Sequence, residues 1–284
     1  MAALVRALLD QHFATAGTGR PVVAALVDAD ARRVQAAWAR SLPRDERTGL
    51  PPVEPPAGPA YALAAPLVDL AAQQGGDAAV DDLFRTPPRT DEPLLDPWTR
   101  LADAQGYLTV PAPDPGGRAE QVEEAGTGPL AWLALLSARL PVADALTAVD
   151  GWGGDAAVTF RQDGAHCLAA AFRGDTDADT AEMRAALATW AAAGPAGATR
   201  AGLRDGTVWL RTCDPAAATR EPSAAVVAAL VGRARTSAAL VRDGVDVPVA
   251  RCAADRLLRT SAAARLPLGA RAPEVVAAVA ACRV

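Results

Sequence analysis

The chain has no lysine, asparagine or isoleucine, so all 28 of its basic groups are arginines. It has two histidines, His12 and His166, far apart in sequence. Two histidines so placed exclude the H-E-x-x-H zinc helix of metallopeptidases, which needs both on one helical face with a glutamate base between them. Serine is scarce and no G-x-S-x-G elbow occurs, so Ser/His/Asp catalysis has no support. There is no C-x-x-C pair, which removes zinc ribbons and thioredoxin-type centres. There is no block of basic residues interleaved with aromatics, and the net charge is −5, so a nucleic-acid partner is not expected. No apolar run reaches the roughly 20 residues that span a bilayer, and no membrane span is expected. The start holds one arginine, Arg6, before a short apolar run that turns polar at Asp10, without the long apolar region and cleavage site of an export signal.

What is present is a globular composition, 51% hydrophobic and rich in alanine, on a 284-residue chain long enough for two domains. The pattern predicts an α+β, mostly helical fold. Helices are expected over 1–16 and 20–42, the second with Pro21 in its first turn. A third runs from the alanine-rich stretch after Tyr61 to Gln74, followed by a Gly-Gly stop and a short helix ended by Pro87-Pro88. After Gly154 the period changes from helical to alternating. Residues 156–172 read as a β-hairpin turning at Asp163-Gly164, 177–193 as a helix capped by Asp175 or Thr176, and 206–213 as a strand. The boundaries expected are a helical region over 1–110, a Pro/Gly-rich linker over 111–128, helices plus a small sheet over 129–215, and C-terminal helices over 216–284.

The four cysteines, Cys167, Cys213, Cys252 and Cys282, all lie in the second half. They read either as two structural disulfides, implying an oxidising compartment, or as four buried thiols. If disulfides form, the expected pairs are Cys167–Cys213, on strands of one sheet, and Cys252–Cys282, on successive terminal helices.

Other candidate sites read as structure. His166 is next to Cys167 on a strand, so the two point to opposite faces and form no dyad. "GWGGD" (151–155) lacks the context of a dinucleotide fingerprint and reads as a turn over a packed Trp152. "DTDADT" lacks the glycine and distal glutamate of a calcium loop and reads as a helix cap.

The segment "ALVRALLDQHF" (3–13) resembles the zinc helix of a group of actinobacterial and related zincin-like proteins, secreted or lipid-anchored, whose pattern runs close to H-E-L-T-H-A-L-Q-D-Q-H-F. Aligned on the shared part, the first His falls on Ala2, the Glu on Ala3 and the second His on Arg6. "ALVDADA" (25–31) is similar to a group segment A-L-V-E-G-D-A, which puts Asp28 at the third ligand and keeps Asp30. "GGDAAVDDLFRTPPRTDEPLLDP" (75–97) is similar to a segment in which Glu92 is retained and a His is replaced by Asp96. "GWGGDAAVTFRQDGAHC" resembles another, so the likeness spans most of 3–213.

The resemblance implies that 1–110 is a degenerate zincin-like region. Alanine has no donor atom and a guanidinium is always protonated, so Ala2, Ala3 and Arg6 cannot do the work of two His and a Glu. The expectation is a pseudo-metallopeptidase with no catalytic residue, metal or cofactor, acting as a binding or scaffold module for an unidentified protein or envelope partner. It would be extracytoplasmic or secreted if the true start lies upstream of Met1. Arg6 is expected beside Asp28 or Asp30. Two alternatives stand beside it: a metal-dependent hydrolase using Asp28, Asp30, Glu92 and Asp96, and a truncated product without function.

Overall fold

A computed structural model describes residues 1–50, 58–103, 106–124, 128–219, 221–260, 267–269 and 271–283. The fold is α+β and mostly helical, with a five-stranded antiparallel sheet. It divides into two compact units. Unit 1 comprises Met1–Asp103, Leu230–Ala254 and Arg265–Val284, and unit 2 comprises Ala104–Ala229 and Asp255–Ala264.

Unit 1 begins with α1 (Ala2–Phe13) and α2 (Pro21–Ser41), joined by a short 3₁₀ turn, Thr15–Thr18. Pro21 opens α2 where its missing N–H costs nothing. α3 (Arg44–Thr48) follows, then α4 (Pro59–Arg85). The expected Gly-Gly stop is real. Gly75 and Gly76 leave helical geometry inside α4, and Gly76 takes φ 64, a conformation that glycine adopts without strain. Small residues let α2 and α4 approach closely: Ala25 and Ala31 of α2 and Ala64 and Ala71 of α4 are fully buried among Leu26, Leu63, Leu67 and Val68. Two single-turn helices, α5 (Glu92–Leu95) and α6 (Trp98–Leu101), complete the N-terminal part.

Unit 2 holds the sheet. β1 (Glu120–Glu124) precedes α7 (Pro129–Ser137) and α8 (Val142–Asp150). Then come the hairpin β2 (Trp152–Gln162) and β3 (Ala165–Gly174), α9 (Asp177–Ala192), and a second hairpin, β4 (Thr199–Arg204) and β5 (Thr207–Thr212). The strand order is β1-β2-β3-β5-β4. The first hairpin turns at Asp163 (φ 51) and Gly164 (φ 81), the type I′ pattern expected of Asp-Gly. Thr176 caps α9 in a capping box with Asp179. One sheet face carries Leu168, Ala170 and Phe172 of β3 beside Val208, Leu210 and Thr212 of β5, and Trp132 of α7 meets Phe172 edge-on at 5.6 Å.

Two expected boundaries are corrected. The 111–128 stretch is not a free linker, since β1 lies within it and pairs with β2. Upstream of β1, Leu108 donates its N–H to the Gly153 carbonyl, and Arg211 reaches the Pro115 carbonyl at 3.0 Å. Proline density forbids a helix there but not an extended cover over a sheet. The 216–284 stretch is not a separate region either. Its helices are α10 (Ala224–Arg242), α11 (Val247–Leu258) and α12 (Pro273–Ala281), and 230–254 and 265–284 belong to unit 1. Buried polar bonds draw them in: the Trp98 indole donates to Ser237 at 3.0 Å, and Arg251 pairs with Asp96 at 2.7 Å.

Both disulfides are formed as paired above, Cys167–Cys213 in unit 2 and Cys252–Cys282 in unit 1. They fit an oxidising, extracytoplasmic environment. Among the described residues α10 is the one helix long and apolar enough to cross a membrane, but half of its apolar window is buried, and Arg233, Thr236 and Ser237 lie in the core.

Candidate functional site: the α1–α2 ion pair

The polar end of α1 shapes the turn into α2. Asp10 accepts the Ala16 N–H at 2.7 Å, and Ala14 adopts φ 49 to reverse the chain. Phe13 stacks on Phe84 of α4 at 5.6 Å, while His12 stays exposed. Val5 and Leu9 are buried, which sets the face that α1 turns inward. Within the cluster "DQHF", Asp10 serves turn closure and Phe13 serves packing.

Ala2 and Arg6 stand one turn apart on α1 and share a face. Arg6 donates from Nη2 to Oδ1 of Asp28 on α2. Arg32, one turn further along α2, donates from Nε to Asp28 Oδ2 at 2.5 Å. Both oxygens of this carboxylate are thus held by guanidinium groups. Ala3 is exposed. Arg33 bonds Asp30 from Nε at 2.8 Å, and its Nη2 reaches Asp77 just after the glycine break in α4, also at 2.8 Å.

The two acids are similarly buried, Asp28 at 7% and Asp30 at 5% exposed, yet their carboxyls move in opposite directions. Burial pushes Asp28 up, and the hydrogen bonds and charges of Arg32 and Arg6 outweigh it, leaving the group below its ordinary 3.8. Burial also pushes Asp30 up, and there one arginine, Arg33, is opposed by Asp77 and Asp81, so the group stays above 3.8.

The other acids named from sequence are also committed. Asp96 accepts the Trp98 N–H at 3.0 Å and takes Arg251 on its second oxygen, and Arg251 bridges onward to Asp103 at 2.6 Å. Glu92 is buried in α5. Among the described residues no group of three or more His, Cys, Asp and Glu could hold a metal ion. The structure therefore brings Arg6 and Asp28 together and does not gather Asp28, Asp30, Glu92 and Asp96.

The other candidate sites read from sequence, at His166, "GWGGD" and "DTDADT", lie in unit 2. His166 is exposed on β3 beside Arg161, and Cys167 is tied into its disulfide. "GWGGD" is a strand start rather than the expected turn, since Trp152 to Asp155 open β2 with Trp152 buried. Its glycines allow close backbone approach: a Cβ on Gly154 would sit 2.1 Å from the Leu108 carbonyl oxygen. Sequence reasoning missed a cleft of ≈ 270 Å³ in unit 2, lined in part by Asp150, Asp179, Glu182, Asp255 and Arg259. Glu182 is raised there by burial and then by Asp179 and Asp150. Its acids come from α8, α9 and α11, so no local spacing could have announced it. Comparison with protein-family models, with curated proteins and with solved structures found no match to this chain.

Proposed function

We propose that this chain is a non-catalytic zincin-like protein in which an ion pair stands where related helices hold their metal, and that it works as an extracytoplasmic binding or scaffold module. The observation that carries this reading is the contact of Arg6 with Asp28. The second-His position and the third-ligand position, 22 residues apart, meet across α1 and α2. A guanidinium supplies the positive charge a metal would otherwise bring, and it takes up the acid on the neighbouring helix. Ala2 and Ala3 add neither a ligand nor a base. The two disulfides support a setting outside the cytoplasm. The carboxylate-hydrolase alternative gains no support, because Asp28, Asp30 and Asp96 each spend oxygens on arginine.

The test has two arms. Elemental analysis of the purified chain, with peptide-hydrolysis assays in added Zn²⁺, should give no stoichiometric zinc and no hydrolysis. Stoichiometric zinc, or hydrolysis lost in Asp28→Ala, would sink the proposal. In the second arm, A2H/A3E/R6H/D28E should gain zinc binding, since the helix register is kept. A folded quadruple variant that binds no zinc would show that this helix pair never had a metal-site geometry.

A further inference from the structure

The two edges of the unit 2 sheet are built differently. β1, at one edge, is irregular: its register slips between Glu120 and Glu123, Gln121 takes φ 50, and Glu120, Glu123 and Glu124 crowd five residues. A bulge and like charges are the usual guards against strand addition. β4, at the other edge, pairs with β5 without interruption from Thr199↔Thr212 to Arg204↔Thr207. Among the described residues no strand lies beyond it.

The β4 edge is also laid out as a surface. Arg200, Gly202 and Arg204 share one face, opposite Arg211, Trp209 and Thr207. The Trp209 indole lies over Gly202, since a Cβ there would sit 2.8 Å from its Cε2, Cζ2 and Nε1 atoms. Trp209 is 37% exposed, and Leu203, on the opposite face of β4, is 47% exposed. Arg200 and Arg204 are exposed and make no hydrogen bond or ion pair with any described residue, while Arg211 is occupied by Gln162, the Pro115 carbonyl and the Phe160 ring. The nearest acid in sequence is Asp205, in the β4–β5 turn.

From this the geometry points to β4 as a docking edge for an extended, acidic peptide segment of a partner protein, added as a sixth strand. Main-chain bonds along β4 would supply register, and side chains would supply selectivity. Acids opposite Arg200 and Arg204 fall four residues apart on one face of the incoming strand. The residue between them meets Trp209 over the gap at Gly202, and the alternate residues meet Ala201 and Leu203. The recognised pattern is acid–apolar–apolar–apolar–acid. Two arginines four residues apart repel a second β4, and the acids and bulge of β1 deter edge pairing there, so the charge favours a partner strand. This inference rests on the sheet alone and is independent of the α1–α2 reading.

The experiment uses the full chain and a blocked, labelled peptide containing Glu-Val-Leu-Val-Glu between Gly-Ser flanks. Fluorescence anisotropy and tryptophan emission report binding. The acidic peptide should bind more tightly than its Lys-Val-Leu-Val-Lys counterpart by on the order of tenfold. R200E/R204E should invert that preference, and the inversion shows that the variant is folded. N-methylation of the peptide amides that face β4 should abolish binding. Equal binding of both peptides, indifference to N-methylation, or no binding would overturn the inference. So would concentration-dependent self-association by sedimentation velocity that R200E/R204E removes, because a second copy would then own the edge.

Discussion

The two units handle half-buried and buried carboxylates in different ways. In unit 1, Asp28, Asp30 and Asp96 face arginines, three of which reach in from other helices: Arg6 of α1, Arg233 of α10 and Arg251 of α11. In unit 2, Asp155 accepts the Gly128 N–H at 3.0 Å and the Trp132 indole N–H at 2.6 Å, both from uncharged donors. Asp214 is arranged like Asp96, with one oxygen on a backbone N–H, that of Ala216, and the other on a guanidinium, that of Arg139. Helices satisfy their own backbone, so a buried acid between them needs a side-chain partner, and in a lysine-free chain that partner is arginine. A sheet with loops leaves N–H groups at its ends, and a carboxylate can serve them. The difference shows in two places: charged pairs link α1 to α2, while Arg200 and Arg204 on β4 make no ion pair with any described residue.

The disulfides give the largest expected effects and test whether the two units are stapled alike. Chain-entropy arithmetic for sequence separations of 46 and 30 gives roughly 4 kcal/mol for Cys167–Cys213 and slightly less for Cys252–Cys282. Denaturant titration of C167A/C213A and C252A/C282A should therefore show similar losses. A loss near zero in either would mean that its unit holds together without the staple.

Next in size is Gly154→Ala, which puts a methyl against the Leu108 carbonyl and should cost about 2–3 kcal/mol. Gly17, in unit 1, has nothing within 4 Å, and Gly17→Ala should stay within about 0.5 kcal/mol. Equal melting shifts for the two would refute close backbone packing as the reason for the glycine at 154.

The carboxylates themselves separate the units more finely. Asp28→Asn removes the charge held by two arginines. Arg6 is 44% exposed, so solvent screening limits the loss to about 1–2 kcal/mol, and 1 M salt should shrink it. Asp155→Asn keeps a carbonyl for both neutral donors and should cost less than about 1 kcal/mol, with no salt dependence. A salt-insensitive Asp28→Asn would break the contrast.

The smallest effect is in acid titration. Carboxyl NMR should place Asp28 below 3.8 and Asp30 above it. The Asp28 contribution is then present above 3.8 and lost as pH falls through its lower folded value. The Asp30 contribution is present below 3.8 and lost as pH rises through its higher one. Stability of Asp30→Asn relative to the parent should therefore rise with pH just above 3.8, and that of Asp28→Asn should fall as pH climbs toward 3.8. The same slope in both would remove the distinction between the acids.

Much of the fold was legible in local signals. Pro21, the Gly75-Gly76 break, the Thr176 cap and the Asp163-Gly164 turn each act within a few residues, and each does what its chemistry requires. The second hairpin went unread although it carries the same signal. Asp205 (φ 49) and Gly206 (φ 71) repeat the Asp-Gly turn, but "TRAGLR" has too few β-branched or aromatic residues to read as a strand. β4 exists because β5 offers it a ladder, and β1 because β2 does. The site was legible in one respect: a cation on the first helix and an acid on the second, expected to meet, do meet.

Residue chemistry alone determined that Ala2 and Ala3 offer no ligand atom and that Arg6 brings α1 a permanent charge. It also determined the helix stops and the tight turns, which depend on the backbone freedom of single residues. Only the tertiary structure decided that Arg6 and Arg32 share one carboxylate while Asp30 keeps a single arginine. It likewise decided that the proline-rich stretch covers a sheet, that the C-terminal helices complete unit 1, and that Trp209 lies over Gly202 at an open edge. These are relations between residues distant in the chain, set by burial and by the pairing of polar groups, and no local pattern encodes them.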